Sequence, residues 1–232
     1  MEIKQSVVLV TGANGGLGRE FVRQALERGA TKVYAAARKP QVWDDERIVP
    51  LRLDVTDPAS IQAAKDIAGD VTVLVNNAGI AGPGSLVTSP IGEIRNVFET
   101  NVFGPLELVR AFAPALAASG GGAVLDVHSV LSWVASPGAY SPSKAAFWGV
   151  TNALRVELAG QGTQVLGAHL GYTDTPMIAG LDVPKGSASE VVAKILDALE
   201  EGRDEVLADD FTVRVRAGLS DATTGRTSAR LV

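Results

Sequence analysis

The sequence predicts an α/β fold, in which a mostly parallel β-sheet is covered by helices on both faces. Short β-rich runs alternate along the chain with segments that carry apolar residues at helical spacing. No internal repeat and no linker interrupts this alternation, and 232 residues fit one domain of this class. A glycine-rich turn, residues 12–18, joins the first strand to the first helix. We therefore expect residues 1–232 to form a single domain.

The individual elements follow in order along the chain. Helices are predicted from apolar residues three and four positions apart, and strands from short β-rich runs. Asp57 is the expected N-cap of one helix, and Pro58 its first helical position. The predicted strands are residues 6–11, 32–37, 48–53, 71–75, 123–127, 164–169 and 205–207, and the predicted helices are residues 16–28, 59–68, 91–118, 141–159 and 187–201. Residues 214–232 are polar at their end, and we expect a frayed tail there.

Composition and charge exclude several classes of function. The net charge is −5 and no run of Lys or Arg occurs, which argues against a nucleic-acid partner. The absence of cysteine excludes disulfides and thiolate chemistry, and only His128 and His169 could serve a histidine metal site, so no metal is expected. The apolar stretches are shorter than the roughly 18 residues of a transmembrane helix, and the start lacks the shape of a signal peptide. We therefore expect a cytoplasmic protein without a membrane partner.

The turn after the first strand has the sequence Thr11-Gly12-Ala13-Asn14-Gly15-Gly16-Leu17-Gly18. A dinucleotide-binding fold needs glycines here, because the turn is tight, the backbone approaches a pyrophosphate and the helix packs close to the sheet. The helix N-terminus then presents its amide groups to the phosphates. The spacing is GxxxGxG rather than GxGxxG, so a plain glycine-rich turn is the alternative. The candidate cofactor-binding residues in this segment are Gly12, Asn14, Gly16, Leu17 and Gly18.

The end of the second strand carries Arg38 and Lys39. Folds that select NAD usually offer an acidic residue at this point, which binds the ribose 2′-hydroxyl. A carboxylate would repel a 2′-phosphate, whereas a guanidinium can bind it through paired charge-assisted hydrogen bonds. The alternative is two exposed basic residues at the end of a strand. The position favours NADPH/NADP⁺ over NADH as the cofactor.

The third and fourth strands also end in polar residues. Asp54-Val55 follows the third strand, where it would lie beside an adenine ring. Asn76-Asn77-Ala78-Gly79 ends the fourth strand, at the carboxyl edge where ligands of such sheets bind. The second segment could equally be an ordinary turn. Asp54, Val55, Asn77, Ala78 and Gly79 are therefore further candidates for cofactor binding.

Tyr140 and Lys144 lie four residues apart in a predicted helix, so their side chains share one face. A free tyrosine titrates near pH 10, which is too high for ready proton exchange at neutral pH. A cation within about 4 Å favours the phenolate by up to roughly 4 kcal/mol, or about 3 pKa units. The pair therefore suggests a phenol that donates and accepts protons, although a YxxxK spacing also arises by chance in helices.

Two further polar residues belong to this candidate catalytic group. Ser129 follows the fifth strand directly, 11 residues before Tyr140, where its hydroxyl could bind a substrate carbonyl. Ser132 is the alternative residue for this hydroxyl. Asn101 lies in the middle of the predicted helix 91–118, where asparagine is a poor helix former and could bend the helix or hold a water. A solvent-facing asparagine is the other interpretation.

In this order the motifs resemble those of the short-chain dehydrogenase/reductase family, and the resemblance covers nearly the whole chain. The family resemblance implies a Rossmann-type, doubly wound sheet of seven strands. It implies that Tyr140 is the general acid and base, that Ser129 polarises the substrate, that Lys144 holds the nicotinamide ribose and that Asn101 anchors a water. It also implies that Gly171, Thr173 and Thr175, after the sixth strand, contact the cofactor. Leu170-Gly171 stands where the family commonly has Pro-Gly.

The function implied by this resemblance is an NADPH-dependent oxidoreductase that acts on an aldehyde, ketone or alcohol. Trp133 and Tyr172 are candidate walls of the substrate pocket, and the short stretch 177–185 leaves little chain for a lid. The long helices 91–118 and 141–159 are those through which relatives form dimers and tetramers, so a homodimer or homotetramer is expected. A non-catalytic dinucleotide sensor or scaffold is the main alternative. A sugar-nucleotide epimerase is disfavoured, because about 90 residues after Tyr140 leave no room for its substrate domain.

Overall fold

A parallel β-sheet of seven strands runs through the middle of the protein, as seen in a computed structural model that describes residues 1–219. Its strand order is β3-β2-β1-β4-β5-β6-β7, and every neighbouring pair is parallel. This confirms the predicted Rossmann-type, doubly wound fold. The strands are β1 (Val7–Thr11), β2 (Lys32–Ala37), β3 (Ile48–Arg52), β4 (Val73–Asn76), β5 (Ala123–Val127), β6 (Gln164–His169) and β7 (Glu205–Leu207).

Seven α-helices accompany the strands within the described residues, and most begin and end within two residues of the predicted positions. Asp57 caps its helix as expected, because its carboxylate accepts a hydrogen bond from the Ala59 amide. The helices are α1 (Gly16–Glu27), α2 (Pro58–Ile67), α3 (Ile91–Phe98), α4 (Gly104–Ala118), α5 (Tyr140–Leu158), α6 (Ala188–Glu200) and α7 (Asp210–Gly218).

Apolar side chains cover both faces of the sheet. Consecutive residues of a strand point to opposite faces, so Val8 and Val10 enter one core while Leu9 enters the other. The first core packs against α1 and α6, and the second packs against α2, α4 and α5. Polar groups are therefore left at the ends of the strands. The chain reverses its direction across the sheet between β1 and β4, which opens a crevice at their carboxyl ends.

The predicted helix 91–118 is interrupted in its middle. Residues Glu99–Phe103 form one turn of π-helix between α3 and α4. Such turns often mark functional positions, and this one contains the buried Asn101. Gly104 follows it, and a Cβ on that residue would lie only 2.7 Å from the Val55 carbonyl oxygen. The helix is thus irregular at Asn101, and a glycine allows it to approach the end of β3.

The expectation of a frayed tail from residue 214 is wrong for residues 214–218. They belong to α7, whose N-cap Asp209 accepts hydrogen bonds from the Thr212 amide and hydroxyl at 2.7 and 2.9 Å. Thr212 and Val215 are buried against the rest of the protein. Because this segment is mostly polar, its sequence did not indicate a capped helix with a narrow apolar face. Residues 220–232, the rest of the expected tail, lie outside the described residues.

No helix formed by residues 1–219 is long and apolar enough to cross a membrane. The longest, α5, has 19 residues and includes Lys144, Arg155 and Glu157. Within the same range, no group of three or more histidine, aspartate or glutamate side chains is arranged to hold a metal ion.

Candidate active site

A crevice of about 590 Å³ opens at the carboxyl edge of the sheet, above β1, β4, β5 and β6. The predicted site residues that line it are Gly12, Gly16, Leu17, Asn77, Ala78, Gly79, Ser129, Tyr140, Lys144, Gly171, Tyr172, Thr173 and Thr175. A second cavity of about 230 Å³ adjoins it and is lined by Arg38, Asp54 and Val55 together with Gly12, Ala78 and Gly79. Asn14, Gly18, Lys39, Asn101 and Trp133 line neither cavity.

The glycine-rich turn after β1 keeps the floor of this crevice open. Gly12 and Gly16 have φ angles of +66° and +46°, in the left-handed region that favours glycine. A Cβ on Gly12 would lie 3.1 Å from Ala78 Cα, and one on Gly16 would lie 2.8 Å from Thr175 Cγ2. A Cβ on Gly18 would overlap the Gly12 carbonyl group, so Gly18 serves the turn itself. The N-terminus of α1 thus faces the crevice with bare backbone, close to Thr175, and this arrangement fits a dinucleotide pyrophosphate.

Thr11 joins the ends of β1 and β4, a role that the sequence motif did not reveal. Its hydroxyl accepts hydrogen bonds from the amides of Asn77 (2.9 Å) and Ala78 (3.0 Å), and it donates one to the Val75 carbonyl (3.2 Å). The Asn77 side chain returns a hydrogen bond to the Thr11 carbonyl at 2.8 Å. The segment after β4 is therefore tied to the glycine-rich turn. The one feature of the sequence that could have indicated this role is the hydroxyl of Thr11 at the end of β1.

The second cavity brings Arg38 and Asp54 together. The pKa of Asp54 is lowered by hydrogen bonds from the Thr56 amide and hydroxyl, and the Arg38 guanidinium nearby lowers it further. Arg38 is exposed at the end of β2, and its guanidinium lines this cavity. No acidic residue lies on β2 itself. Lys39 contributes through its backbone, since its carbonyl accepts a 2.7 Å hydrogen bond from Asn14.

Lys144 is a buried cation at the centre of the site. Its Nζ donates a hydrogen bond of 2.8 Å to the Val127 carbonyl at the end of β5. Burial lowers the pKa of Lys144 to about 8, while the buried Asp126 carboxylate opposes this shift. Asp126 is held by the Asn76 amide at 2.9 Å and the Thr151 hydroxyl at 2.7 Å.

Tyr140 has a pKa that differs from the sequence expectation. Burial raises the pKa of its phenol to about 12, and a hydrogen bond with Ser129 lowers it by a smaller amount. The predicted lowering by Lys144 is wrong for this structure. The ammonium is 5.8 Å from the centre of the phenol ring and is directed to the Val127 carbonyl instead. The phenol is therefore protonated at neutral pH.

The structure separates the two candidate serines. Ser129 lines the crevice, interacts with Tyr140 and accepts a 3.1 Å hydrogen bond from the Leu131 amide. Ser129 thereby caps a short 3₁₀ turn, Val130–Ser132. Ser132 is buried, does not line the crevice, and its hydroxyl has no hydrogen-bond partner among the described residues. Of the two, Ser129 is the hydroxyl that a substrate in the crevice could reach.

Asn101 lies behind the crevice and connects the loop after β4 to α5 through hydrogen bonds. Its side chain accepts a hydrogen bond from the Ile80 amide (2.9 Å) and donates to the Ile80 carbonyl (3.0 Å) and the Ser143 hydroxyl (3.0 Å). The π-helical turn directs this amide to the loop after β4 and to α5 at once. Ser143, next to Lys144 in the chain, is a second partner that the sequence did not single out. A Cβ on Gly79 would lie 3.3 Å from Asn101 Oδ1 and 3.8 Å from Lys144 Nζ.

Trp133 does not wall the substrate pocket, contrary to expectation. Its ring stacks on His169, with centroids 4.1 Å apart, and the Arg216 guanidinium lies 4.7 Å from its centroid. The 3₁₀ turn after Ser129 directs the indole to the side away from the crevice. Arg216 belongs to α7, a segment for which the sequence predicted a frayed tail. The contact of Trp133 with Arg216 could therefore not be predicted.

A carboxylate also lies close to Trp133 and His169, behind Ser129. Glu205 accepts a hydrogen bond of 2.5 Å from the Trp148 indole and lies 3.6 Å from His169 Nε2. His169 Nδ1 is in turn 3.4 Å from the Ser129 carbonyl oxygen. The pKa of Glu205 is lowered to about 2, mainly through its contact with His169, with smaller effects from Trp148 and the Arg216 guanidinium.

Comparisons with known proteins agree with this arrangement. The family model of the short chain dehydrogenases matches residues 6–184. The chain belongs to the short-chain dehydrogenase/reductase family. This family of oxidoreductases acts on small-molecule substrates.

Three similar proteins illustrate the relationship. A 1-deoxy-11-beta-hydroxypentalenate dehydrogenase of Streptomyces exfoliatus is 31% identical over 252 residues, which cover 95% of this chain and 90% of that protein. The crystal structure of a short chain dehydrogenase from Burkholderia cenocepacia J2315 in complex with NADP has a TM-score of 0.90 and 38% identity, and covers 99% of this chain and 100% of that one. A family member from Burkholderia phymatum in complex with NAD, at 22% identity, shares the fold with a TM-score of 0.85, and covers 100% of this chain and 99% of that one.

The lowered pKa of Glu205 predicts a pH-dependent contribution to stability. A carboxyl group whose pKa falls on folding stabilises the protein above its unfolded pKa, and this stabilisation disappears as pH falls toward the folded pKa. With a folded pKa of about 2 against 4.5 when unfolded, we expect Glu205→Gln to lower the free energy of unfolding at pH 6. The difference from wild type should shrink by about 1 kcal/mol between pH 6 and pH 3, because solvent screens part of the interaction of a partly exposed carboxylate.

Urea unfolding of both proteins across this pH range measures the effect. Glu157→Gln, which removes an exposed carboxylate from α5, controls for the change in net charge. A wild-type and a Glu205→Gln curve that stay parallel between pH 6 and pH 3 would contradict the assigned role of the Glu205 contacts.

Proposed function

We propose that this protein is an NADPH-dependent carbonyl reductase or alcohol dehydrogenase, which transfers hydride between the nicotinamide and an aldehyde or ketone. The observation that carries the proposal is the meeting of Ser129, Tyr140 and Lys144 in one crevice with the open glycine-rich turn. A carbonyl oxygen in this crevice would lie near two hydroxyl donors. A buried ammonium stands beside them, and the space for the pyrophosphate is continuous with this site.

Each side chain has a distinct part in the proposed reaction. When bound, NADPH supplies the hydride, and the oxidised nicotinamide carries a positive charge. The Ser129 hydroxyl donates a hydrogen bond to the substrate oxygen and so polarises the carbonyl. Tyr140 gives its proton to that oxygen in reduction and accepts it again in oxidation. Lys144 holds the nicotinamide ribose and stabilises negative charge on the phenol oxygen.

Asn101 is assigned to the supply of protons from solvent. The point at which a Cβ of Gly79 would stand is 3.3 Å from Asn101 Oδ1 and 3.8 Å from Lys144 Nζ. Both groups therefore lie beside Gly79, and a water held between them, clear of the glycine backbone, would have an acceptor and a donor, as a bound water requires. We assign to Asn101 the anchoring of such a water, in addition to its contacts with Ile80 and Ser143.

The remaining candidates are assigned to the cofactor. Arg38 would bind the 2′-phosphate, because the adjoining cavity exposes its guanidinium at the end of β2. Asp54 and Val55 lie in the same cavity, where an adenine would be held. Gly171, Thr173 and Thr175 line the crevice on its β6 side, facing the glycine-rich turn, and we assign them to the nicotinamide end. The relative from Burkholderia cenocepacia, which was solved with NADP, supports the same preference.

We also propose a homodimer or homotetramer that associates through α4, α5 and the π-helical turn. Phe103 and Val156, on these segments, expose 49% and 78% of their surface. A second copy that packs on these helices would cover both side chains.

Replacing the proton donor tests the proposed mechanism. Tyr140→Phe should lower turnover by about a hundredfold or more, because it removes the transferable proton but keeps the ring. Ser129→Ala should lower it as well, whereas Ser132→Ala, outside the crevice, serves as the matched control. The measurement is NADPH consumption with a panel of aldehydes and ketones, combined with NADPH binding by fluorescence. Unchanged turnover in Tyr140→Phe would overturn the mechanism.

Reversing the charge at Arg38 tests the cofactor preference. Arg38→Asp should weaken NADPH binding by about ten- to a hundredfold and improve NADH binding relative to it, because a hydrogen-bonded ion pair to the 2′-phosphate is lost. Arg52→Asp, at the exposed end of β3, makes the same charge change outside both cavities. Dissociation constants for both cofactors measure the effect. A wild type that binds NADH more tightly than NADPH would contradict the assignment.

A further inference from the structure

The outer wall of the crevice is aromatic and comes from two distant parts of the chain. Tyr172 follows β6, and Phe211 is the second residue of α7. Their rings are 6.1 Å apart and inclined by 22°, within the range of favourable aromatic pairs. Both line the crevice that contains Ser129 and Tyr140.

Backbone contacts fix this aromatic wall in place. The Gly171 amide donates a 2.6 Å hydrogen bond to Asp209, whose other oxygen caps α7 through Thr212. One carboxylate thus ties the end of β6 to the start of the helix. A Cβ on Gly171 would lie 2.7 Å from the Phe211 ring, so a glycine is needed for the ring to approach. The Asp209 hydrogen bonds and the close approach at Gly171 therefore fix the position of the aromatic wall.

The rest of the outer crevice is mostly apolar, with Ser136 as a neutral polar exception. The apolar side chains that line it, besides the aromatic wall, belong to two groups: Val130, Leu131, Val134 and Pro137 after β5, and Met177, Ile178 and Leu181 after β6. Among the described residues that line the crevice, Lys144 is the only one with a full charge, and its ammonium is already hydrogen-bonded to Val127. No arginine or second lysine of residues 1–219 lines it.

This distribution discriminates between substrates by charge. A carboxylate or phosphate buried against apolar side chains loses its hydration without gaining a partner, which is costly. An apolar ring gains free energy for each part of its surface that is removed from water, and it can also stack on the aromatic wall. The outer crevice therefore favours a neutral apolar body attached to the reacting carbonyl.

We propose that the substrate is a neutral, apolar ring ketone or the corresponding secondary alcohol, held against Phe211 and Tyr172; this inference rests on the proposed function. In the forward reaction the carbonyl carbon receives hydride from NADPH and the oxygen receives a proton from Tyr140. The products are the secondary alcohol and NADP⁺. Phe211 acts as a specificity-determining residue that α7 supplies to the site.

Two matched ketones test the charge preference. One is cyclohexanone with a tert-butyl group opposite the carbonyl, and the other carries a carboxylate at the same position. We expect kcat/KM to be greater for the neutral ketone by about tenfold or more, because the carboxylate has no buried partner. The melting temperature of the NADP⁺ complex should also rise more with the neutral alcohol than with its carboxylate counterpart.

The outcomes separate the two proposals. Equal or faster reduction of the carboxylate ketone would overturn the inference and leave the carbonyl reductase function standing. No reduction of either ketone, nor of any small aldehyde, would overturn the proposed function and this inference with it.

Substitution of the wall tests the assigned residue. Phe211→Ala should lower kcat/KM for the neutral ring ketone by about tenfold, mainly through KM, because apolar contact with the ring is lost. Phe211→Leu, which keeps apolar bulk, should lower it less. Val213→Ala, on the exposed side of α7, is the control for a truncated apolar residue in the same helix. An equal loss in Phe211→Ala and Val213→Ala, with similar falls in melting temperature, would show a structural role alone and overturn the assignment.

Discussion

The hydrogen bond from Lys144 to the Val127 carbonyl is the interaction on which the site depends. It holds an ammonium at the carboxyl end of β5, away from water, where burial alone would favour the neutral amine. Asp126 offsets part of this cost from within the sheet, and Asn76 and Thr151 hold its carboxylate in place. A cation thus stands at a fixed point next to Tyr140 because β4, β5 and α5 all contribute to its support.

The protonation of Tyr140 follows from the same arrangement. Burial raises the pKa of the phenol, so its neutral form dominates and a proton is available for transfer to a substrate oxygen. Stabilisation of the phenolate must then come from charges that act when the reaction occurs. Lys144 is one of them, at 5.8 Å from the ring centre, and the positive charge of an oxidised nicotinamide would be another. Such a site suits proton donation in the reductive direction.

Much of this could be predicted from the sequence, and the failures have physical causes. Strands β2, β5, β6 and β7 begin and end as predicted, because short β-rich runs between turns are a strong local signal. The glycine-rich turn, Asn77 and Tyr140 meet in the crevice because parallel strands bring their ends to one edge. Trp133 and the direction of the Tyr140 pKa were mispredicted, since both depend on contacts between distant segments. Phe211 was missed because α7 reads as a polar tail until its packing is known.

The pKa of Tyr140, free and in complex, tests the central claim most directly. Tyrosine-labelled protein can be titrated by NMR with and without NADP⁺, and Tyr140→Phe assigns the signal among the 3 tyrosines. The phenol should resist ionisation beyond the ordinary pKa of about 10 in the free protein, and its pKa should fall by about two units or more in the complex. A phenol that titrates at the same pH in both states would contradict the control of its proton by burial and nearby cations.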